Sequence, residues 1–165
     1  MLKHGLIHSK SYWDDVTSSS YSALKELGDL IHKSILIKNE VVLEDPFEKG
    51  IRKSLNYGHT LGHAIESYFM ESPSKTRLLH GEAIAIGMIL ANFISTQLTG
   101  LNAHEALDSA KAITKIYPFV QFDDSDIEAI ITLLKYDKKN SHGSIYFVLL
   151  EDIGNVKLNQ TVFEM

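Results

Sequence analysis

The chain has 165 residues, 44% of them hydrophobic, with a net charge of −5 and a pI near 5.9. That size buries one real core and predicts a single domain or one lobe of something larger, while the acidic balance and scattered Lys and Arg argue against a nucleic-acid partner. The absence of cysteine excludes a disulfide framework and thiolate metal sites, so any transition metal must be held by imidazole and carboxylate.

No apolar run approaches the roughly 18 residues of a membrane helix, and the opening MLKHGLIHSK lacks the apolar core of a signal peptide. The expectation is a cytoplasmic chain with no membrane partner. Between the three prolines, Pro46, Pro73 and Pro118, the apolar residues recur three and four apart, which predicts a mainly α fold. The first helix is read in SYSALKELGDLIHKSILIKNEVVLED, with Leu24, Leu27, Ile31 and Ile35 on one stripe continued by Lys38, ending at Asp45–Pro46. A second helix is expected from about Arg52 to Met70. The third, HGEAIAIGMILANFISTQLTG, is apolar nearly all round, as a central bundle helix would be, and ends at Gly100. NAHEALDSAKAITKIY follows with Asn102 as N-cap and stops at Pro118. DDSDIEAIITLLKYDKK reads as a last helix capped by Asp or Ser, and GSIYFVLL and NVKLNQ, joined by EDIGN, as a small β-hairpin near the C-terminus.

The most unusual segment is RKSLNYGHTLGHAIE, residues 52 to 66. In a helix, His59 and His63 are i and i+4 neighbours, with Asn56 and Arg52 one and two turns back on roughly the same face. Gly58 and Gly62 flank them, and each helix glycine costs about 1 kcal/mol relative to alanine, so something must approach that backbone closely. Ordinary surface or hydrogen-bonded core histidines also satisfy a lone HxxxH. Against that reading, His80 opens the most apolar helix, where a polar ring needs a partner. Glu82, in the first turn of the same helix, is suited to a cap or a second carboxylate layer rather than direct ligation. Three histidines without cysteine favour a borderline metal such as zinc. Lys38, Arg52 and the Lys138/Lys139 pair read as solvated charges when taken singly; beside a metal they are the fixed cations an anionic substrate requires. His4, His8, His32, His104 and His142 lack such company and are read as structural or exposed, and Trp13 and the tyrosines as core or interface.

Taken together, KNEVVLEDPFEKGIRKSLNYGHTLGHAIE, LLHGEAIAIGM and DKKNSHGSIYFVLLEDIG closely resemble the carboxy-terminal half of 3-dehydroquinate synthase. The resemblance implies an NAD-binding α/β domain followed by a helical metal- and substrate-binding domain, of which residues 1–165 are the second. It implies that His59 and His80 are metal ligands, that His63 contacts substrate, and that Lys3, Lys38, Arg52, Asn56 and one lysine of Lys138/Lys139, with Lys139 favoured, line the substrate pocket. A third, acidic ligand would fall one position before Met1, so the chain is expected to be a fragment. Further implications are Zn2+ or Co2+ and NAD as cofactors, conversion of the seven-carbon phosphate DAHP to 3-dehydroquinate in the shikimate pathway, and a homodimeric full-length protein. Other sugar-phosphate cyclases and metal-dependent polyol dehydrogenases use a similar domain, and a non-catalytic metal-binding module is the reading from another class. The dehydrogenases have no need of the Lys38, Arg52 and DKK cations.

Overall fold

The computed structural model describes residues 1–18, 24–140 and 145–162, with the side chains at 24 and 137–140 outside that description. The described chain forms α1 (Leu2–His8), α2 (Lys10–Ser18), α3 (Leu24–Glu44), a 3-10 helix (Ile51–Asn56), α4 (His59–Glu71), α5 (His80–Leu98), α6 (Ala103–Thr114) and α7 (Asp124–Asn140). Strands β1 (Tyr146–Asp152) and β2 (Asn155–Thr161) pair antiparallel, with Leu149 opposite Lys157 and Asp152 opposite Asn155. The mainly α architecture with one C-terminal hairpin is the one expected.

Helix α5 is the centre. Its buried face, running through Ala83, Ile84, Gly87, Met88, Ala91, Asn92 and Ser95, packs against α4, α6 and β1. By length and composition α5 is apolar enough to cross a membrane, contrary to the expectation that no segment reaches that limit; here 44% of it is buried inside the protein. Asn102 caps α6 by accepting the His104 N–H at 2.8 Å, as its position predicts. Asp123 caps α7 in the same way through the Asp126 N–H at 2.9 Å.

Two expectations are corrected. The single helix from Arg52 to Met70 is two pieces: the 3-10 helix ends at Asn56, Gly58 takes φ +77, and α4 starts at His59. Arg52 and Asn56 therefore do not continue the histidine face of α4. The cause is the approach of α5. A Cβ on Gly87 would lie 2.1 Å from the Gly58 carbonyl oxygen, and one on Gly62 would lie 2.7 Å from Ile84 Cδ1. Glycine permits both the left-handed turn and this contact.

The α3 stripe is the second correction. Leu30, Ser34, Ile37 and Val41 face the core, while Ile31 and Ile35 are 44% and 59% exposed and Lys38 is exposed. This helix carries apolar residues on more than one face, and the stripe that wins contains a serine. Ser34 is buried because its hydroxyl meets His4 Nδ1 at 2.7 Å, joining α1 to α3.

Asp126, 0% exposed, accepts hydrogen bonds from Tyr68 Oη and Lys75 Nζ, each at 2.6 Å, and ties α7 to α4 and the loop after it. Those bonds, Lys75 first, pull its carboxyl down to about 2. Burial and nearby positive charge push His4 down to about 4.

These shifts set two windows of acid sensitivity. The unfolded chain protonates histidine near pH 6.5, before folded His4, so stability falls as pH drops from about 6.5 toward about 4. The Asp126 contribution is complete above the ordinary carboxylate value of about 3.9 and is lost as pH falls toward about 2. Urea midpoints measured against pH should show His4→Gln reducing the slope of the first window and Asp126→Asn that of the second. In the same assay Gly87→Ala, which inserts a methyl against backbone, should cost about 1–3 kcal/mol at neutral pH.

Candidate metal centre

Three imidazoles converge where α4 meets the start of α5. The ring centroids of His59 and His63 are 5.3 Å apart, those of His59 and His80 5.9 Å, and those of His63 and His80 5.7 Å. One ring nitrogen from each lies within 4.8 Å of the other two. His59 and His63 share a face because α4 places them one turn apart. His80 joins them because it opens α5, the helix against which α4 is pressed.

The other nitrogens of two rings are occupied. His59 Nδ1 donates to the Tyr57 carbonyl at 3.2 Å, and His80 Nδ1 lies 2.9 Å from Glu66 Oε2, to which it donates. Each ring thereby keeps Nε2 for a ligand, the arrangement in which metal-binding histidines are commonly held. Burial, with Lys3 nearby, pushes His59 down to about 4, so it is the neutral, ligating form at pH 7. The donor set, three imidazoles with fixed tautomers for two of them, fits a borderline divalent ion.

Beside these rings is a cavity of about 460 Å³ lined by His59, His80, Lys3, Gly81, Ile84 and Tyr117 among others. Lys3 enters it from α1. Its Nζ donates to the Leu55 carbonyl at 2.6 Å, and burial together with the Lys38 charge pushes it down to about 8. Lys38 is thus near enough on α3 to be felt at Lys3, while itself exposed.

Arg52 and Asn56 are gathered by a different group. The loop after α3 is shaped by Asp45, whose carboxylate accepts the N–H groups of Lys49, Gly50 and Arg52 at 2.7–3.1 Å. In that loop Glu48 has φ +56. Its Oε1 accepts Asn56 Nδ2 at 2.6 Å, its Oε2 is 4.0 Å from Arg52 Nε, and Arg52 Nη1 donates to the Pro46 carbonyl at 2.7 Å. None of these contacts reaches a histidine. The side chains of Lys138 and Lys139 lie outside the described residues, as does His142.

The sequence reading missed Glu66 and Glu48. Glu66 was legible in the spacing His59-x3-His63-x2-Glu66, which continues one helix face. Glu82 is the cap of its two readings: Glu82 Oε2 accepts the Leu79 N–H at 2.7 Å.

Comparison with known proteins gives a consistent set of relatives. A family model described as 3-dehydroquinate synthase C-terminal matches residues 1–140. The chain is 39% identical over 168 residues to a 3-dehydroquinate synthase of Parabacteroides distasonis, covering 98% of this chain and 46% of the relative, and 32% identical to one from Streptococcus thermophilus, covering 97% and 45%. It therefore spans about half the length of the curated relatives it matches. Among solved structures it is similar to a 2-deoxy-scyllo-inosose synthase complexed with carbaglucose-6-phosphate, NAD+ and Co2+, with TM-score 0.72, 32% identity, and coverage of 97% of this chain and 44% of that one. A 2-epi-5-epi-valiolone synthase of Streptomyces hygroscopicus with NAD+ and Zn2+ bound, at TM-score 0.73 and 19% identity over 98% of this chain and 45% of that one, shares the fold.

The Glu66 contact yields a prediction about metal affinity. Glu66→Gln removes the carboxylate that orients His80 and should weaken Zn2+ or Co2+ binding by about 10- to 100-fold, read by competition with a chromophoric chelator. Unchanged affinity would mean that His80 is held without Glu66.

Proposed function

The chain belongs to the 3-dehydroquinate synthase C-terminal family, and on that premise we propose that residues 1–165 are the metal- and substrate-binding part of an enzyme converting DAHP to 3-dehydroquinate and phosphate. On this reading NAD is bound by a separate nucleotide-binding domain, the complete enzyme is a cytoplasmic homodimer, and the pathway served is the shikimate pathway. The observation that carries the proposal is the meeting of His59, His80 and the Lys3 ammonium at one cavity, with the His63 ring beside the other two imidazoles, a combination suited to a hydroxylated, phosphorylated acid.

In this assignment His59 and His80 hold the divalent metal, Zn2+ or Co2+, and His63 faces the substrate. When bound, the metal supplies Lewis acidity at a substrate hydroxyl and NAD supplies a hydride acceptor that is regenerated within the cycle. The chain's own residues bind and orient. Lys3, already desolvated, offers a point charge to an anionic group, and Lys38 adds to the positive potential around it. Arg52 offers a planar fork suited to two oxygens of a phosphate or carboxylate, with Asn56 donating beside it. Glu48 holds both until an anion competes for them. Lys139, or Lys138, adds a cation from the end of α7. Holding the phosphate close to the acidified carbon lets the leaving group act as its own base, so positioning is the main contribution of these side chains.

A second reading is carried by the 32% identity to the 2-deoxy-scyllo-inosose synthase with a bound carbaglucose-6-phosphate. It keeps the same metal and phosphate contacts and changes the carbon skeleton.

Phosphate release separates the two. The enzyme containing this sequence should release phosphate from DAHP in the presence of NAD and Zn2+ or Co2+, and the 165-residue chain by itself should not. Turnover of a hexose 6-phosphate in place of DAHP would select the second reading. His63→Ala should keep a stoichiometric metal yet lower kcat by about 100-fold or more; loss of the metal in that variant would make His63 a third ligand.

A further inference from the structure

The metal-binding reading leaves a buried polar chain on the far side of α5 unexplained. Tyr57, Asn92 and Ser109 are 0%, 1% and 1% exposed, in an otherwise apolar and small-residue interior. Tyr57 Oη donates to Asn92 Oδ1. Asn92 Nδ2 donates to Ser109 Oγ at 2.6 Å, and Ser109 Oγ donates to the Ala106 carbonyl at 2.9 Å. Every bond has a fixed direction. Burial drives the Tyr57 phenol far above its ordinary value, so it remains a donor, which makes the amide oxygen the acceptor and leaves the amide nitrogen to donate onward. The chain joins the turn before α4 to the middle of α5 and then to α6.

Such a network needs a reason, because apolar side chains of the same shape would fill the space without the cost of desolvating an amide and a phenol. The surroundings supply one. The α4–α5 contact is built on Gly58, Gly62, Ala83, Gly87 and Ala91, with Ile84 and Met88 set into the gaps at Gly62 and Gly58; this packing brings the backbones close, and the polar chain adds a directional tie between the turn and α5. Fixing register is the best-attested use of a directional buried polar contact between helices. Register is what the candidate metal centre depends on. His80 lies twelve positions before Asn92 on the same helix, about 18 Å at 1.5 Å per residue, and Tyr57 lies two positions before His59. A slip of α5 by one turn moves His80 by about 5.4 Å, more than the 4.8 Å that spans the ring nitrogens.

Tyr57 also acts at shorter range. Its carbonyl accepts His59 Nδ1 and its N–H donates to the Ser54 carbonyl at 3.0 Å, so the residue whose ring is anchored below the turn is also the one that aims the imidazole above it. We propose that Tyr57, Asn92 and Ser109 are positioning residues that lock the register of α5 against the Tyr57–Gly58 turn and thereby set the separation of His59 and His80. This rests on the metal-binding reading of those histidines.

The test is Co2+ binding to the complete enzyme that contains this sequence, followed by visible absorption and by competition with a chelator, alongside urea unfolding. Tyr57→Phe and Ser109→Ala keep volume and should each weaken Co2+ by about 10-fold; Asn92→Leu, which breaks both links, should weaken it by up to about 100-fold and change the shape of the visible bands. Tyr12→Phe removes a comparably buried hydroxyl, one that donates to the Leu30 carbonyl and ties α2 to α3 rather than the Tyr57–Gly58 turn to α5. It should lower the urea midpoint and leave Co2+ affinity and spectrum unchanged. If Asn92→Leu fails to fold, Tyr57→Phe and Ser109→Ala decide. Wild-type affinity and bands in those two variants would overturn the proposal while leaving the metal site standing. A wild-type enzyme that takes up no Co2+ would overturn the metal-binding reading, and this inference with it.

Discussion

The close contact of two backbones is the constraint on which the molecule is organised. Gly58, Gly62 and Gly87 let the Tyr57–Gly58 turn and α4 settle against α5 at a distance that no Cβ would allow. Everything chemical at this end of the fold follows from that approach. It breaks what would have been a long helix, starts α4 at a histidine, and brings the first residue of α5 beside it. The conformational cost of glycine is offset by packing that larger residues could not achieve.

Charge at the site is arranged in layers. Lys3 is the lysine that lines the cavity, and carboxylates stand outside it: Glu66 at His80, Glu48 at Arg52 and Asn56, and Asp45 at the backbone of the preceding loop. None of the three carboxylates is within the set lining the cavity. The inner surface is therefore mainly apolar with the Lys3 ammonium set into it, its pKa pushed down to about 8 by burial. Burial at this place holds the His59 imidazole in its neutral form.

Much of the helical framework was legible in the sequence, because α3, α5, α6, α7 and the hairpin are marked by prolines, glycines and caps that act locally. The convergence of His59 and His80 followed from a resemblance carried by long ordered motifs, not from spacing. Three things were hidden. The break at Gly58 depends on a residue 29 positions away, Gly87, and a helical period cannot register that. The buried face of α3 was misassigned because hydrophobicity ranks Ile35 above Ser34, whereas the His4 partner reverses the order. Helices α1 and α2 were not read at all: each is under ten residues, too short for a periodic signal. Glu66 lay in plain view at helical spacing, and only a metal hypothesis gives that spacing meaning.

The hairpin has a bearing on how the protein is made. The Gly154 N–H donates to the Leu6 carbonyl at 2.8 Å, Thr60 Oγ1 to the Tyr146 carbonyl at 3.1 Å, and Lys53 Nζ to Asn159 Oδ1 at 3.2 Å, so the last strands fasten the first helix and the segment leading into α4. On the ribosome, α1 and the histidine-bearing turn emerge long before the strands that hold them. Until the hairpin has been translated, part of this core is uncovered; closure of such sequence-distant contacts is slow, and the interval is one in which chaperones and aggregation compete for the nascent chain.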